Sequence, residues 1–462
     1  MVFMLDNPLY KTFLREKIDL KETLIKNAKL VDPSENLNDI YDILIKNQKI
    51  EIISKKINKN SISNVIDAKG NTITPGFIDL HVHYREPGET YKENIRTGSI
   101  ASAKGGFTTV LMMPNTNPTM DNLDKLKHQN QIVKANSIIR TLQTASVTHE
   151  RKGSNLVDIE TLSKFGVLAF SNDGDAIEKK STLEKALILT TKNNRPILEH
   201  CEDPNLIDQG TVNDGSTAIR LGLLSRSKQS EINILKRDIS IAKKINNGWL
   251  YFQHITCKKS LDLIKEAKSR GLRINAEVTP NHLFMNENWI YGKKGQKVEF
   301  LDFDSYDTNT RVNPPLRDES DRLALIEAVN NGTIDIIATD HAPHSKGDKL
   351  NLFDSVPAGI NSAETAVPIL VTLSKNDKLN FNSIVEKMAN NPGQIINHIS
   401  GLKIGKIKEG YEADLTIIDT DAEQLIDENF FLSKSTNSPI TGMILKGKVL
   451  KTIYRGEVVY ES

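Results

Sequence analysis

The sequence predicts an α/β fold: a (β/α)8 TIM-like barrel carrying a small β-sandwich built from both chain ends. Three observations lead there. Both ends of the chain are β-rich, the middle alternates strand and helix patterns, and residues able to bind a metal fall where the strands end. A chain of 462 residues exceeds one ordinary core, which a barrel with an accessory sheet satisfies.

At the N-terminal end, residues 23–32 (TLIKNAKLVD) and 42–53 (DILIKNQKIEII) are β-rich runs separated by the turn signal Asp32-Pro33-Ser34, and residues 65–70 add a strand and turn. The same texture returns at 413–419, 441–450 and 452–460. The economical arrangement is one sandwich domain of residues 23–74 plus 405–462, with a barrel of residues 75–404 inserted into it. Residues 1–22 lack the continuous apolar core of a signal peptide and read as an N-terminal extension.

In the middle, strand patterns fall at 77–83, 107–113, 139–147, 167–171, 196–200, 249–254, 273–278 and 334–339, eight in all. Helical patterns lie between them. Asp121 is expected to cap LDKLKHQNQIVK, Ser181 and Glu184 to form a capping box, and Leu261, Ile264 and Ala267 to line one helix face that Gly271 ends. Residues 300–307, acidic and aromatic, read as a loop insertion, and residues 383–391 as part of a helix returning to the sandwich.

Sixty Lys and Arg against fifty-nine Asp and Glu leave a net charge of +1, so nothing favours a nucleic-acid or anionic-membrane partner, and a small-molecule substrate is the default. Cys201 and Cys257 are too few for a disulfide framework, and no apolar run reaches the roughly 18 residues of a spanning helix. A cytoplasmic protein is expected.

The site is anchored by PGFIDLHVHYREPG, residues 75–88. Alternate side chains of a strand share a face, so Asp79, His81, His83 and Arg85 point one way and Ile78, Leu80 and Val82 the other. An isolated His-x-His fits a buried strand with two satisfied histidines as well as a metal pair. Barrel order decides. His81 and His83 end the first strand, Asp173 follows the fourth, His200 ends the fifth, His254 ends the sixth and Asp340 follows the eighth, all on the C-terminal rim where barrel active sites gather. Of ten histidines, His128, His149 and His398 read as structural or surface, and His282 is left open.

Four imidazoles and two carboxylates suit two borderline cations, Zn2+ foremost and two per subunit, bridged by a carboxylate and by a water that loses its proton near neutral pH. Asp173 lies between the two histidine pairs in barrel order and is the expected bridge. Asp340 is expected to bind a metal and also to act as the catalytic general acid/base, taking the proton of the attacking hydroxide and passing it to a leaving nitrogen. The chemistry is hydrolysis of an amide. Cys201 neighbours His200 and so points away from it, as a packed thiol.

Arg85, Asn115 in MPNTNP, Asn313 in NPPLR and His344 are the expected substrate-binding residues. A guanidinium beside two cations is costly unless an anion joins it, which calls for a carboxylate on the substrate. Asn115 and Asn313 sit beside proline and suit turn formation equally well. Residues 345–364 are long enough to form a lid or to present backbone amides to the ligand.

Together GFIDLHVHYREPG, MMPNTNPT, AFSNDGD, LEHCED, the HIT segment at His254, AEVTPNHL, NPPLR, TDHAPH and NSPITG resemble the bacterial class I dihydroorotases of the amidohydrolase superfamily, from about residue 23 to the C-terminus. The resemblance implies a (β/α)8 barrel with a β-sandwich, zinc, and the reversible cyclisation of N-carbamoyl-L-aspartate to L-dihydroorotate in de novo pyrimidine (UMP) biosynthesis. Carried over, His81 and His83 match the first-metal ligands, Asp173 the bridge, His200 and His254 the second-metal ligands, and Asp340 the ligand that is also acid/base. Arg85, Asn115, Asn313 and His344 match the substrate positions. A homo-oligomer is expected, with an aspartate transcarbamoylase as a candidate partner.

The sequence departs from the family pattern at Asn172, at Asn281, in residues 357–364 and in the insertion near residue 300. Some relatives bridge their metals with a carboxylated lysine; Asp173 makes that modification unexpected here. The alternatives are an allantoinase or hydantoinase, whose substrate ring would give Arg85 no carboxylate to neutralise, and a catalytically silent scaffold for a transcarbamoylase, a class that usually loses ligands.

Overall fold

The computed structural model describes residues 22–58, 62–207, 209–292 and 305–462. The predicted extension, apart from Glu22, and residues 300–304 of the predicted insertion lie outside the described residues.

The N-terminal β-rich segment forms β1 (Thr23–Asp32), β2 (Leu37–Lys46), β3 (Lys49–Ser54), β4 (Asn64–Asp67) and β5 (Thr72–Pro75). The β-rich run 42–53 spans the end of β2 and most of β3. It reverses at Asn47 and Gln48, whose φ of 50° and 67° make the turn.

The barrel strands are β6 (Phe77–Val82), β7 (Phe107–Met112), β8 (Arg140–Ala145), β9 (Ala169–Ser171) and β10 (Ile197–Glu199). A short parallel pair, β11 (Val212–Asn213) with β12 (Ser225–Arg226), interrupts the next connection, after which come β13 (Leu250–Phe252), β14 (Ile274–Val278) and β15 (Ile336–Ile337). The eight barrel strands pair in chain order. A parallel bridge between Val82 and His341, with the His83 amide donating to the His341 carbonyl at 2.9 Å, closes the ring beside the site. All eight lie within the stretches expected from sequence. β6, β7 and β8 are buried along their whole length, as parallel strands covered on both faces must be.

The chain ends with β16 (Leu415–Ile426), β17 (Met443–Tyr454) and β18 (Glu457–Glu461). They join the N-terminal strands in one sheet of order β18-β17-β16-β5-β1-β2-β3, with β4 on β1. Ile25, Leu30, Ile43, Ile73, Leu415 and Ile453 share its apolar core. Arg140 of β8 ties barrel to sheet, donating to Asp414 Oδ2 at 2.7 Å and to Glu412 Oε2 at 3.1 Å. A fully buried guanidinium persists there because carboxylates pair with it.

Two helix starts differ from expectation. Asn122, not Asp121, caps the helix Leu123–Asn136 by accepting from the Lys125 amide, while the Asp121 carboxylate takes Lys125 Nζ and the Glu150 amide. The Ser181–Glu184 box does not form. The chain enters helix Lys180–Lys192 at Lys179, already extended at φ −80° and ψ 120°, which leaves Ser181 inside the first turn. Helix Lys258–Ser269 buries Leu261, Ile264 and Ala267, and Gly271 follows at φ +76°.

Residues 381–400 form one run of helix with a π turn at Glu386–Asn390. Its last part, Asn391–Ser400, plugs the N-terminal end of the barrel: Asn391 Nδ2 donates to the Asp335 carbonyl below β15, and Ile395, Ile396 and Ile399 pack with Leu80, Leu111, Leu198 and Ile336. The opposite end stays free for the site. Among the described residues no helix is long and apolar enough to cross a membrane.

Candidate active site

The six side chains expected to bind metal converge at the C-terminal rim, all buried. His81 Nε2 lies 3.3 Å from Asp173 Oδ1 and 3.5 Å from Asp340 Oδ1. His83 Nε2 lies 3.0 Å from Asp340 Oδ1 and 3.4 Å from Asp173 Oδ2. On the other side, His200 Nδ1 faces His254 Nε2 at 2.9 Å, and these nitrogens lie 3.9 and 4.0 Å from Asp173 Oδ1. Asp173 therefore reaches both histidine pairs.

The donor set fits a cation. The ligand atoms of His81, His83 and Asp340, and those of His81, Asp173 and His254, lie within 4.8 Å of one another in each trio. Asp173 Oδ1 is buried without a hydrogen-bond partner, although two carboxylate oxygens and several imidazole nitrogens crowd the same point. A buried carboxylate oxygen without a hydrogen-bond donor is costly unless positive charge lies beside it, which the imidazole of His81 at 3.3 Å or a bound cation would supply.

Each imidazole is turned so that one nitrogen faces this point. Glu277 of β14 holds His81 Nδ1 at 2.6 Å, Asn115 Oδ1 holds His83 Nδ1 at 2.9 Å, and Glu202 Oε2 holds His200 Nε2 at 3.2 Å. These oxygens keep a proton on the outward nitrogen, so that a neutral ring offers its inward nitrogen, the usual device behind metal-binding histidines. His254 and Asp340 take left-handed φ of 31° and 47°, and Arg85 takes 58°; such backbone is sparsely populated by non-glycine residues and clusters at functional sites.

The electrostatics of these side chains follow from their neighbours. Burial opposes charge on His81, but Glu277, Asp173 and Asp340 outweigh it and raise the imidazole well above its ordinary range. Burial likewise favours a neutral Asp173, yet His81, His83 and His200 hold its carboxyl well below the usual value. Asp340 is held at about 2 against the effect of burial, by His81 and His83. His254 is pushed far down by burial and by its imidazole neighbours, which keeps it neutral with a lone pair available.

Above the cluster lies a cavity of ≈ 160 Å³, whose wall includes Arg85, Asn115, Asn313, Ala358 and Gly359. Arg85 Nε donates to the Pro343 carbonyl at 3.2 Å, and its Nη2 is 3.3 Å from His344 Nε2. Among the described residues no carboxylate pairs with Arg85. His344 Nε2 donates to the Ala358 carbonyl at 2.9 Å, and burial, with Arg85 and Lys349 nearby, pushes its pKa to about 2, so it is a neutral ring. Asn115 also donates to Asp173 Oδ2 at 3.0 Å, and Asn313 donates to Glu202 Oε2 at 3.1 Å and accepts from Arg226. Asn115 thus braces Asp173, and Asn313 braces the Glu202 carboxylate that holds His200, while both line the cavity.

Glu277, Glu202 and Arg226 are the positions sequence reasoning missed. A signal existed for Glu277: a carboxylate inside the apolar strand INAEV must be paired once buried, and it takes His81 Nδ1, Tyr251 Oη at 2.5 Å and the His254 amide at 3.1 Å. His282 is structural, held by Thr279 Oγ1 and the Pro314 carbonyl. Asn172 accepts from the Val147 and Thr148 amides and binds no cluster residue. Burial pushes the Cys201 thiol well up, as expected of a packed side chain.

A parallel eight-stranded barrel with buried histidines and aspartates on its C-terminal rim defines a metal-dependent hydrolase, and the chain belongs to the amidohydrolase family, whose model matches residues 72–459. Within that family it is 40% identical to the dihydroorotase of Aquifex aeolicus over 442 residues, covering 95% of this chain and 99% of that protein. It is 39% identical to the dihydroorotase of Clostridioides difficile over 440 residues, with 95% and 100% covered. Among solved structures it superposes on the L-hydantoinase of Arthrobacter aurescens with a TM-score of 0.82 at 23% identity, over 96% of each chain. At that identity the superposition establishes a shared fold.

Proposed function

We propose that this protein is a dihydroorotase, interconverting N-carbamoyl-L-aspartate and L-dihydroorotate in de novo pyrimidine synthesis. The observation that carries the proposal is identity of about two residues in five with dihydroorotases along 95% of the chain. The site supports it independently: Arg85, beside the ligand cluster and without a carboxylate partner among the described residues, awaits an anionic substrate.

His81, His83 and Asp340 would hold one metal and His200 with His254 a second, with Asp173 shared between them. Imidazole and carboxylate donors without thiolate suit Zn2+. Bound there, the metal supplies Lewis acidity that polarises an amide carbonyl and makes water a better nucleophile.

The chain's own groups do the rest. Arg85 pairs with the substrate carboxylate, and Asn115, Asn313 and His344 flank it. In ring opening Asp340, ionised at neutral pH, accepts the proton of the attacking water and returns it to the ring nitrogen as the C–N bond breaks. In cyclisation the carbamoyl nitrogen attacks the side-chain carboxyl carbon and gives its proton to Asp340; one oxygen leaves as water, with a second proton drawn from solvent.

The proposed setting is the cytoplasm, as a homo-oligomer, with an aspartate transcarbamoylase as candidate partner; the proposed domains are 23–74 with 405–462 and 75–404. The test is direct. Purified, zinc-loaded protein should cyclise carbamoyl-aspartate and open dihydroorotate. Opening of hydantoin or allantoin without either reaction would replace the assignment, and under about half an equivalent of retained zinc with the histidines intact would favour a silent scaffold.

A further inference from the structure

We infer that Asn437 is a positioning residue for the substrate cavity, joining the loop that carries His344 to the loop that carries Gly359. Asn437 lies in the C-terminal NSPITG motif, outside the barrel strands, and is 5% exposed. Its Oδ1 accepts from the His344 amide at 3.0 Å, and its Nδ2 donates to the Gly359 carbonyl at 3.0 Å and to the Ala342 carbonyl at 3.4 Å. One amide donor and two carbonyl acceptors leave only one orientation of the carboxamide. Its own carbonyl accepts from the Asn361 amide at 2.9 Å. A single side chain thus spans both loops that line the cavity beside Arg85.

The loops meet closely at this point. Gly359 has φ +145°, and a Cβ there would stand 2.7 Å from the Ala342 carbonyl oxygen and 2.9 Å from His344 Nε2. Contact this tight needs a fixed spacing, which the Asn437 amide sets. The segment bearing Asn437 is itself anchored. Glu364 accepts from the Leu432 and Ser433 amides at 2.7 and 3.2 Å, Ser433 Oγ donates to Glu93, and Ser435 Oγ donates to the Lys92 carbonyl at 2.8 Å. Asn437 is therefore a fixed post against which the loops are held, and its hydrogen bonds go to none of the six proposed metal ligands. Its effect should fall on substrate binding rather than on the metal.

The inference rests on the dihydroorotase assignment only for the assay substrate, and wild-type turnover of dihydroorotate tests that assignment separately. With N437A and the isosteric N437D, which keeps the acceptor for His344 and loses both donors, KM for dihydroorotate should rise on the order of tenfold, with kcat within about threefold of wild type and metal content unchanged. Wild-type KM in both variants overturns the inference. So does a fall in kcat and metal content at constant KM, and so does failure of both variants to fold, since each makes Asn437 a stability determinant instead.

Discussion

Glu277 Oε1 lies 2.6 Å from His81 Nδ1, and its second oxygen takes the Tyr251 hydroxyl at 2.5 Å. The carboxylate is thereby fixed on both sides and dictates which nitrogen of His81 faces Asp173 and Asp340.

Glu277→Gln should leave the fold intact and weaken the metal. Loss of the charged partner of a metal-binding imidazole costs on the order of ten- to a hundredfold in affinity. Chelator competition on the purified variant reads this; a zinc affinity equal to wild type would remove Glu277 from that role.

Metal uptake should release protons. Burial opposes charge on His81, but Glu277, Asp173 and Asp340 raise it well above its ordinary range, which favours the protonated ring in the apoprotein, and a cation must displace that proton to take its place. Affinity for zinc should therefore strengthen as pH rises through the neutral range. Calorimetry of apoprotein in buffers of different ionisation enthalpy should show a net release at pH 7, and zero release would contradict the charge arrangement.

Asp340→Asn should collapse turnover in both directions by about 10²- to 10⁴-fold while dihydroorotate still binds. Measured on protein of verified metal content, a near wild-type kcat would take Asp340 out of proton transfer.

Arg85→Ala should act on binding. Removing a charge-assisted contact to a carboxylate costs about 1.5–3 kcal/mol, which raises KM roughly ten- to a hundredfold. Unchanged affinity for dihydroorotate would end the carboxylate-clamp proposal.

Much of this is legible in the sequence. The alternation of apolar strands with helical patterns placed all eight barrel strands, because a strand buried on both faces must be continuously apolar. The helix starts at Asn122 and Lys179 were less legible. Which of several adjacent polar residues caps a helix depends on where the chain turns out of extended backbone, and tertiary contacts such as that of Asp121 with Glu150 decide it.

The sequence by itself determined the barrel and the six rim residues, since strand period and chain order bring each strand's end to one rim. It did not reveal the partners that orient them. Glu277 finds His81 across 196 residues, and Asn437 reaches His344 across 93. Only the closed ring of strands and the returning C-terminal segment bring these groups within hydrogen-bond distance, and a hydrogen bond depends on that proximity and direction rather than on any local pattern.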